Sequence, residues 1–173
     1  MVSLLVPLAA DIQAVGYAIG QAAQAGDLVM LNGPLGAGKT TMTQGIARGL
    51  GIDGAIASPT FVIAQIHHGR IDLVHVDAYR LNSIEEIDAL DLDTSLEESL
   101  TVVEWGSGKV EMLAEDRLEI QIMRPEGSDA GEEVEDLYED APRTLTFITH
   151  GIRSAQLADA VLADKRVQAL ERR

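Results

Sequence analysis

The chain has 173 residues, 46% of them apolar, enough for one packed domain and too few for two of ordinary size. Its 28 acidic residues against 13 basic ones give a net charge of −15, so the surface repels phosphate backbones and lacks the basic stripe of a free-standing nucleic-acid binder. Cysteine is absent, which excludes disulfides and thiolate metal sites, and no apolar run reaches the roughly 18 to 20 residues of a membrane span.

The opening "MVSLLVPLAADIQ" has no basic start and meets Asp11 early, so it makes a poor signal peptide, and a cytoplasmic protein is expected. Residues 11–25 predict a helix with Ile12, Val15, Ile19, Ala22 and Ala23 on one side, broken at Gly26-Asp27. A strand over 28–31 follows, then a glycine-rich loop, then a second helix marked by Met42, Ile46 and Leu50 and stopped by Gly49 and Gly51. "TFVIAQI" (60–66) and "RIDLVHV" (70–76) predict a hairpin turning at His67-His68-Gly69. Ser83 and Glu86 form a capping box for a helix carrying Ile84, Ile87 and Leu90, and Ser95 with Glu98 repeats the pattern for a shorter one.

"LTVVEW" (100–105) is the near-continuous apolar run of a strand buried on both faces. "RLEIQIM" and "RTLTFIT" alternate, as half-exposed strands do. The segment 125–142 between them is acidic and rich in Gly and Pro, and predicts a flexible loop. A C-terminal helix is expected over 154–173, with Leu157, Val161 and Leu162 apolar and basic residues at its end. No internal repeat is visible, and the whole chain, 1–173, reads as a single domain.

Gly33-Pro34-Leu35-Gly36-Ala37-Gly38-Lys39-Thr40 satisfies G-x-x-x-x-G-K-[ST] in full. Glycines let backbone amides turn inward around a phosphate, and the helix that follows offers its positive end to the same anion. Lys39 can reach the outer phosphates and the Thr40 hydroxyl can ligate Mg²⁺. A chance match in a chain this long has a probability on the order of 1%, and the flanking strand and helix lower it further. The loop is therefore read as holding a nucleotide triphosphate. The metal calls for an acid at the end of a buried strand. Glu104 closes one such strand and Asp77 another, with His75 on the same face as Asp77 by strand alternation. Either acid could ligate Mg²⁺ or orient water.

"GPLGAGKTT", "SPTF", "HVDAYR" (75–80) and "VEWG" (103–106) stand in the order and spacing of the TsaE-type P-loop ATPases, which the chain resembles from about residue 10 to residue 123. The resemblance implies a bacterial protein required for making threonylcarbamoyladenosine in tRNA. Its cofactors would be ATP and Mg²⁺, with Gly33, Leu35, Gly36, Ala37, Gly38, Lys39, Thr40 and Thr41 around the phosphates. Ser58 and Thr60 would lie in a switch-like loop near the γ-phosphate. Asp77 would be an active-site acid and Glu104 the metal-side acid, sharing Mg²⁺ with Thr40. Trp105 would stand beside the site, and Arg143 would correspond to a residue near the adenine. Pro34 stands where family members commonly have Asp, and Ile12 where they often have Thr.

The resemblance further implies partners: a sugar-kinase-like threonylcarbamoyl transferase subunit (TsaD type) and its inactive paralogue (TsaB type). The transferase would do the tRNA chemistry, and slow hydrolysis by the small ATPase, stimulated by these partners, would reset the complex. tRNA would be met only through that complex. The alternatives are a small-molecule phosphotransferase, a GTP switch and a degenerate binding module. The second lacks any N-K-x-D segment for reading guanine, and intact Lys39, Thr40, Asp77 and Glu104 argue against the third. The expected fold is a three-layer α/β P-loop NTPase domain, its mixed sheet parallel at the core with antiparallel hairpins at the edges.

Overall fold

The computed structural model describes residues 1–59, 63–81, 85–86, 95–124 and 141–172. The helix expected around Ile84, Ile87 and Leu90, the residue Thr60 and most of the acidic segment lie outside the described residues. The chain runs through β1 (Val2–Val6), α1 (Ala9–Ala22), β2 (Leu28–Asn32), α2 (Lys39–Gly49), β3 (Ala64–His67) and β4 (Asp72–Asp77). It continues through β5 (Ser99–Glu104), β6 (Arg117–Met123), β7 (Arg143–His150), α3 (Ile152–Ala163), α4 (Lys165–Gln168) and β8 (Glu171–Arg172).

Among the described residues eight strands join one sheet in the order β3-β4-β5-β2-β6-β7-β1-β8. The inner pairs β4–β5, β5–β2 and β2–β6 are parallel, and β3, β7, β1 and β8 add on antiparallel. This is the expected P-loop NTPase arrangement of a parallel core with antiparallel edges. Strand β5 is buried at every position, as a central strand covered on both faces must be. Strands β6 and β7 alternate buried with partly exposed residues, in keeping with their position toward the edge.

Side-chain alternation splits the core in two. The larger part joins Val29, Leu31, Leu73, Val102, Leu118 and Ile120 to the inner faces of α1, α2 and α3. The smaller part, around Met30, Val74, Val76 and Val103, lies under Leu81, Leu96, Val110 and Leu113 on the opposite face.

Helices α1 and α2 touch along a glycine seam. A Cβ on Gly16 or Gly20 would overlap the carbonyls of Met42 or Ile46, and one on Gly45 or Gly49 those of Gln13 or Tyr17. The spacing of four puts each pair on one helical face, so the two backbones meet directly. Alanine would favour each helix alone by about 1 kcal/mol. Overlap with backbone atoms, which cannot rotate away, outweighs that gain. Gly49→Ala is expected to destabilise by about 2 kcal/mol and lower Tm by roughly 4–8 °C, read by thermal denaturation.

Several boundaries differ from the sequence reading. The first helix covers Ala9–Ala22, its entry held by the Asp11 carboxylate accepting from Leu8 N at 3.0 Å. The short strand β1, unforeseen, lies between β7 and β8. Strand β3 covers Ala64–His67, after Ile63 takes a left-handed φ of 71°. Among the described residues, Ser95 and Leu96 are helical and Glu98 N donates to Ser95 O at 3.2 Å.

The C-terminal helix expected over 154–173 is corrected. It starts at Ile152, ends at Ala163, resumes briefly as α4 and gives way to β8 paired with β1. Asp164 is the cause: it is extended at ψ 135°, and its side chain accepts from Arg166 N to start a new turn. At the other end of α3, Asp116 reaches across from the loop before β6 and accepts from Arg153 N at 2.8 Å and Ser154 N at 2.7 Å. Burial raises the Asp116 carboxyl, but these donors and the Ser154 hydroxyl outweigh it and hold the group below its usual 3.8. A depressed carboxylate stabilises the fold fully above the ordinary value and loses that contribution as pH falls through the depressed one. Asp116→Ala is expected to cost about 1 kcal/mol at neutral pH in urea unfolding, with the difference from wild type shrinking below about pH 4.

Candidate functional site

Strand β2 ends between the parallel neighbours β5 and β6, and the glycine loop leaves from that point into α2. Outside the C-terminal ends of such strands an open α/β sheet presents its binding crevice. Gly33 takes φ 152° with its α-carbon against the Ile122 carbonyl, where any side chain would collide, and Gly38 takes φ 113° directly before α2. Ile12 of α1 packs on this turn: a Cβ at Gly38 would come within 2.8 Å of its Cδ1. Ile12, which stands where the resembled family often has Thr, thus sets an apolar side chain against the loop.

Lys39 is 5% exposed and folds back over the loop, donating from Nζ to Gly33 O at 2.8 Å and Pro34 O at 2.9 Å. Its ammonium also lies 3.8 Å from the centre of the Trp105 ring. Burial lowers the Lys39 pKa, against the opposing pull of the Glu104 and Asp77 charges. Trp105 holds this place through a left-handed backbone, φ 61°, with its amide on Leu31 O at 3.2 Å and its ring edge-on to Tyr79 at 5.2 Å. Asn32, Gly33, Pro34, Tyr79, Trp105, Ser107 and Lys109 line an open cleft of about 440 Å³ at this side of the loop. Lys109 donates to Ala78 O at 2.6 Å and so ties the segment after β5 to the segment after β4.

The two candidate acids stand side by side, Asp77 opposite Glu104 in the parallel register of β4 and β5, and both are buried. Their partners separate them. Glu104 accepts from the Thr40 hydroxyl, 3.2 Å from Oε1 and 3.4 Å from Oε2, and lies 2.8 Å through Oε1 from His75 Nε2. Asp77 accepts from Ser58 Oγ at 3.0 Å and Tyr79 N at 2.9 Å. Hence Lys39, Thr40, Glu104, Trp105, Asp77 and Ser58 converge.

Thr41, half-buried, follows Thr40 in the first turn of α2, and Leu35 at the loop's tip is 85% exposed while Ala37 is buried. Arg143 is brought to the same end of the sheet, two strands beyond β2, buried and donating to Ala141 O at 2.9 Å. Arg124, which sequence reasoning passed over, closes the outside of the loop by donating to Gly36 O at 2.9 Å.

The Thr40 hydroxyl and the Glu104 carboxylate offer oxygen donors, the donor chemistry of a hard divalent cation such as Mg²⁺. Among the described residues no group of three or more His, Cys, Asp or Glu side chains could hold a metal alone. The set therefore fits an ion that completes its shell with phosphate oxygens and water, as Mg²⁺ does. Among the described residues no helix is long and apolar enough to cross a membrane.

Residues 6–132 match the family model described as threonylcarbamoyl adenosine biosynthesis protein TsaE. Over 121 residues the chain is 56% identical to a tRNA threonylcarbamoyladenosine biosynthesis protein TsaE of Streptomyces coelicolor, covering 68% of this chain and 82% of that one. A protein of the same description from Bacillus subtilis is 38% identical over 139 residues, covering 79% of this chain and 78% of its own. The crystal structure of Bacillus subtilis YdiB superposes with a TM-score of 0.71 at 30% identity, covering 93% of this chain and 95% of that one.

Proposed function

This chain belongs to the TsaE family of threonylcarbamoyl adenosine biosynthesis proteins, and from that premise we propose that it is the Mg²⁺-dependent ATP-binding and ATP-hydrolysing subunit of the complex that installs threonylcarbamoyl on tRNA adenosine. Hydrolysis resets the transferase subunit (TsaD type), bound with its paralogue (TsaB type), between turnovers. The observation that carries the reading is the direct contact between Thr40 at the start of α2 and Glu104 at the end of β5, beside a complete phosphate loop.

The backbone N–H groups of Leu35 to Thr41 cradle the phosphates, and the N-terminus of α2 adds its positive end. Lys39 exchanges the Gly33 and Pro34 carbonyls for phosphate oxygens, a stronger pairing for a charge that burial otherwise penalises. Thr40 and Glu104 would hold Mg²⁺, which would supply charge neutralisation at the phosphates. Asp77, steered by Ser58 and the Tyr79 amide, accepts from the attacking water and sets its line of approach. Trp105 and Tyr79 wall the outer side of Lys39 and limit its wandering. Arg143, at the far side of the loop, serves the adenine end.

A phosphotransferase reading draws on the cleft lined by Tyr79, Trp105, Ser107 and Lys109, which has room for an acceptor. The two readings differ in where the γ-phosphate goes. With γ-labelled ATP, Mg²⁺ and cell extract metabolites, the ATPase reading expects label only in inorganic phosphate. Label in a stable organic product overturns it.

A further inference from the structure

We propose that His75 is a positioning residue for the metal-side carboxylate, fixing Glu104 in the orientation that receives Mg²⁺; this rests on the reading of Thr40 and Glu104 as the metal pair. His75 is wholly buried in β4, flanked in register by Gln65 on β3 and Val102 on β5. Its Nε2 lies 2.8 Å from Glu104 Oε1, and both side chains are almost completely shielded from water. A carboxylate that ligates a cation can only accept, so in that role the ring donates from Nε2.

The other ring nitrogen, Nδ1, is buried without a hydrogen-bond partner among the described residues. A stranded buried polar atom costs stability. An apolar side chain would fill the same space without it. The ring's gain therefore lies at Nε2, in what it does to Glu104.

The geometry defines that effect. The Thr40 hydroxyl lies nearly equidistant from the two Glu104 oxygens and by itself leaves the carboxylate plane undetermined. His75 engages Oε1 from the sheet side and selects one plane, so that Oε2 is the oxygen left without a donor from β4. A hydrogen-bond donor behind a ligating carboxylate acts in this way, and losing such a partner typically costs about 10–100-fold in metal affinity.

The test measures how strongly the metal and nucleotide sites are coupled. A non-hydrolysable ATP analogue is titrated calorimetrically into the full chain with Mg²⁺ and again in EDTA, and the ratio of the two affinities is taken. His75→Leu is expected to lower this ratio about tenfold or more while the affinity in EDTA stays within about twofold. His75→Gln carries an amide that reaches the place of Nε2 and is expected to restore most of the ratio.

A residue that only packs would lower Tm in both variants and leave the ratio untouched. A folded His75→Leu protein with the wild-type ratio overturns the proposal, and so does a glutamine variant no better than leucine. If His75→Leu does not fold, His75→Asn, too short to reach Oε1, replaces it in the comparison with glutamine. A wild-type ratio near one, with no coupling to Mg²⁺ at all, would instead overturn the assignment of Thr40 and Glu104 as the metal pair.

Discussion

Lys39→Ala is expected to lower ATP affinity by at least about a hundredfold, because charge-assisted hydrogen bonds contribute about 1.5–3 kcal/mol each and the side chain is placed to make two. The ammonium is bonded to two carbonyls, Gly33 O and Pro34 O, and is desolvated against Trp105. Its burial thus works against its charge until phosphate arrives. Alanine should therefore leave the nucleotide-free protein close to wild type in Tm while abolishing the rise in Tm that ATP produces. Calorimetry and thermal shift read the two effects separately. Unchanged ATP affinity in the variant would show that the loop binds through its amides alone.

Glu104→Gln is expected to bind ATP normally in EDTA, to lose most of the affinity that Mg²⁺ adds, and to hydrolyse ATP about 10²–10³ times more slowly, the usual loss for one well-placed electrostatic group. Glutamine keeps the shape and still accepts from His75 and Thr40, so the fold and the loop survive. What disappears is the negative charge beside Thr40. Steady-state phosphate release, with binding measured in parallel, separates the effects. Wild-type turnover would transfer the metal role to Asp77, whose partners Ser58 and Tyr79 now argue for water orientation instead.

The parts of the site nearest the backbone were readable from the chain. Glycines at 33, 36 and 38 before Lys39 serve a loop whose φ values few side chains tolerate, so their spacing made the loop's backbone conformation readable. The burial of β5 was readable because a strand covered on both faces needs an unbroken apolar run. What separates Asp77 from Glu104 was not readable. Both close buried strands, and only the placement of Ser58 against one and Thr40 against the other divides them.

Arg124 was missed for a related reason: its neighbour Gly36 is distant in sequence, and the strand order that joins them has no local signal. The strand β8 was hidden inside an apparently helical tail, because two residues paired with β1 leave no periodicity to detect. The glycine seam between α1 and α2 did leave a trace, glycines four apart in both helices, which hydrophobic periodicity alone overlooks.

The central claim is an ATPase whose cycle belongs to a larger complex. Among the described residues, the arginine that reaches the phosphate loop, Arg124, is bonded to its outer carbonyl at Gly36. A catalytic cation brought by a partner can be worth roughly 10³–10⁵ in rate. The most direct measurement is phosphate release at saturating Mg²⁺ and ATP, by the chain alone and mixed with the transferase subunit and its paralogue. The account predicts slow release alone and a rise of orders of magnitude in the mixture. A rate that does not rise, with no complex formed in ATP, would contradict it.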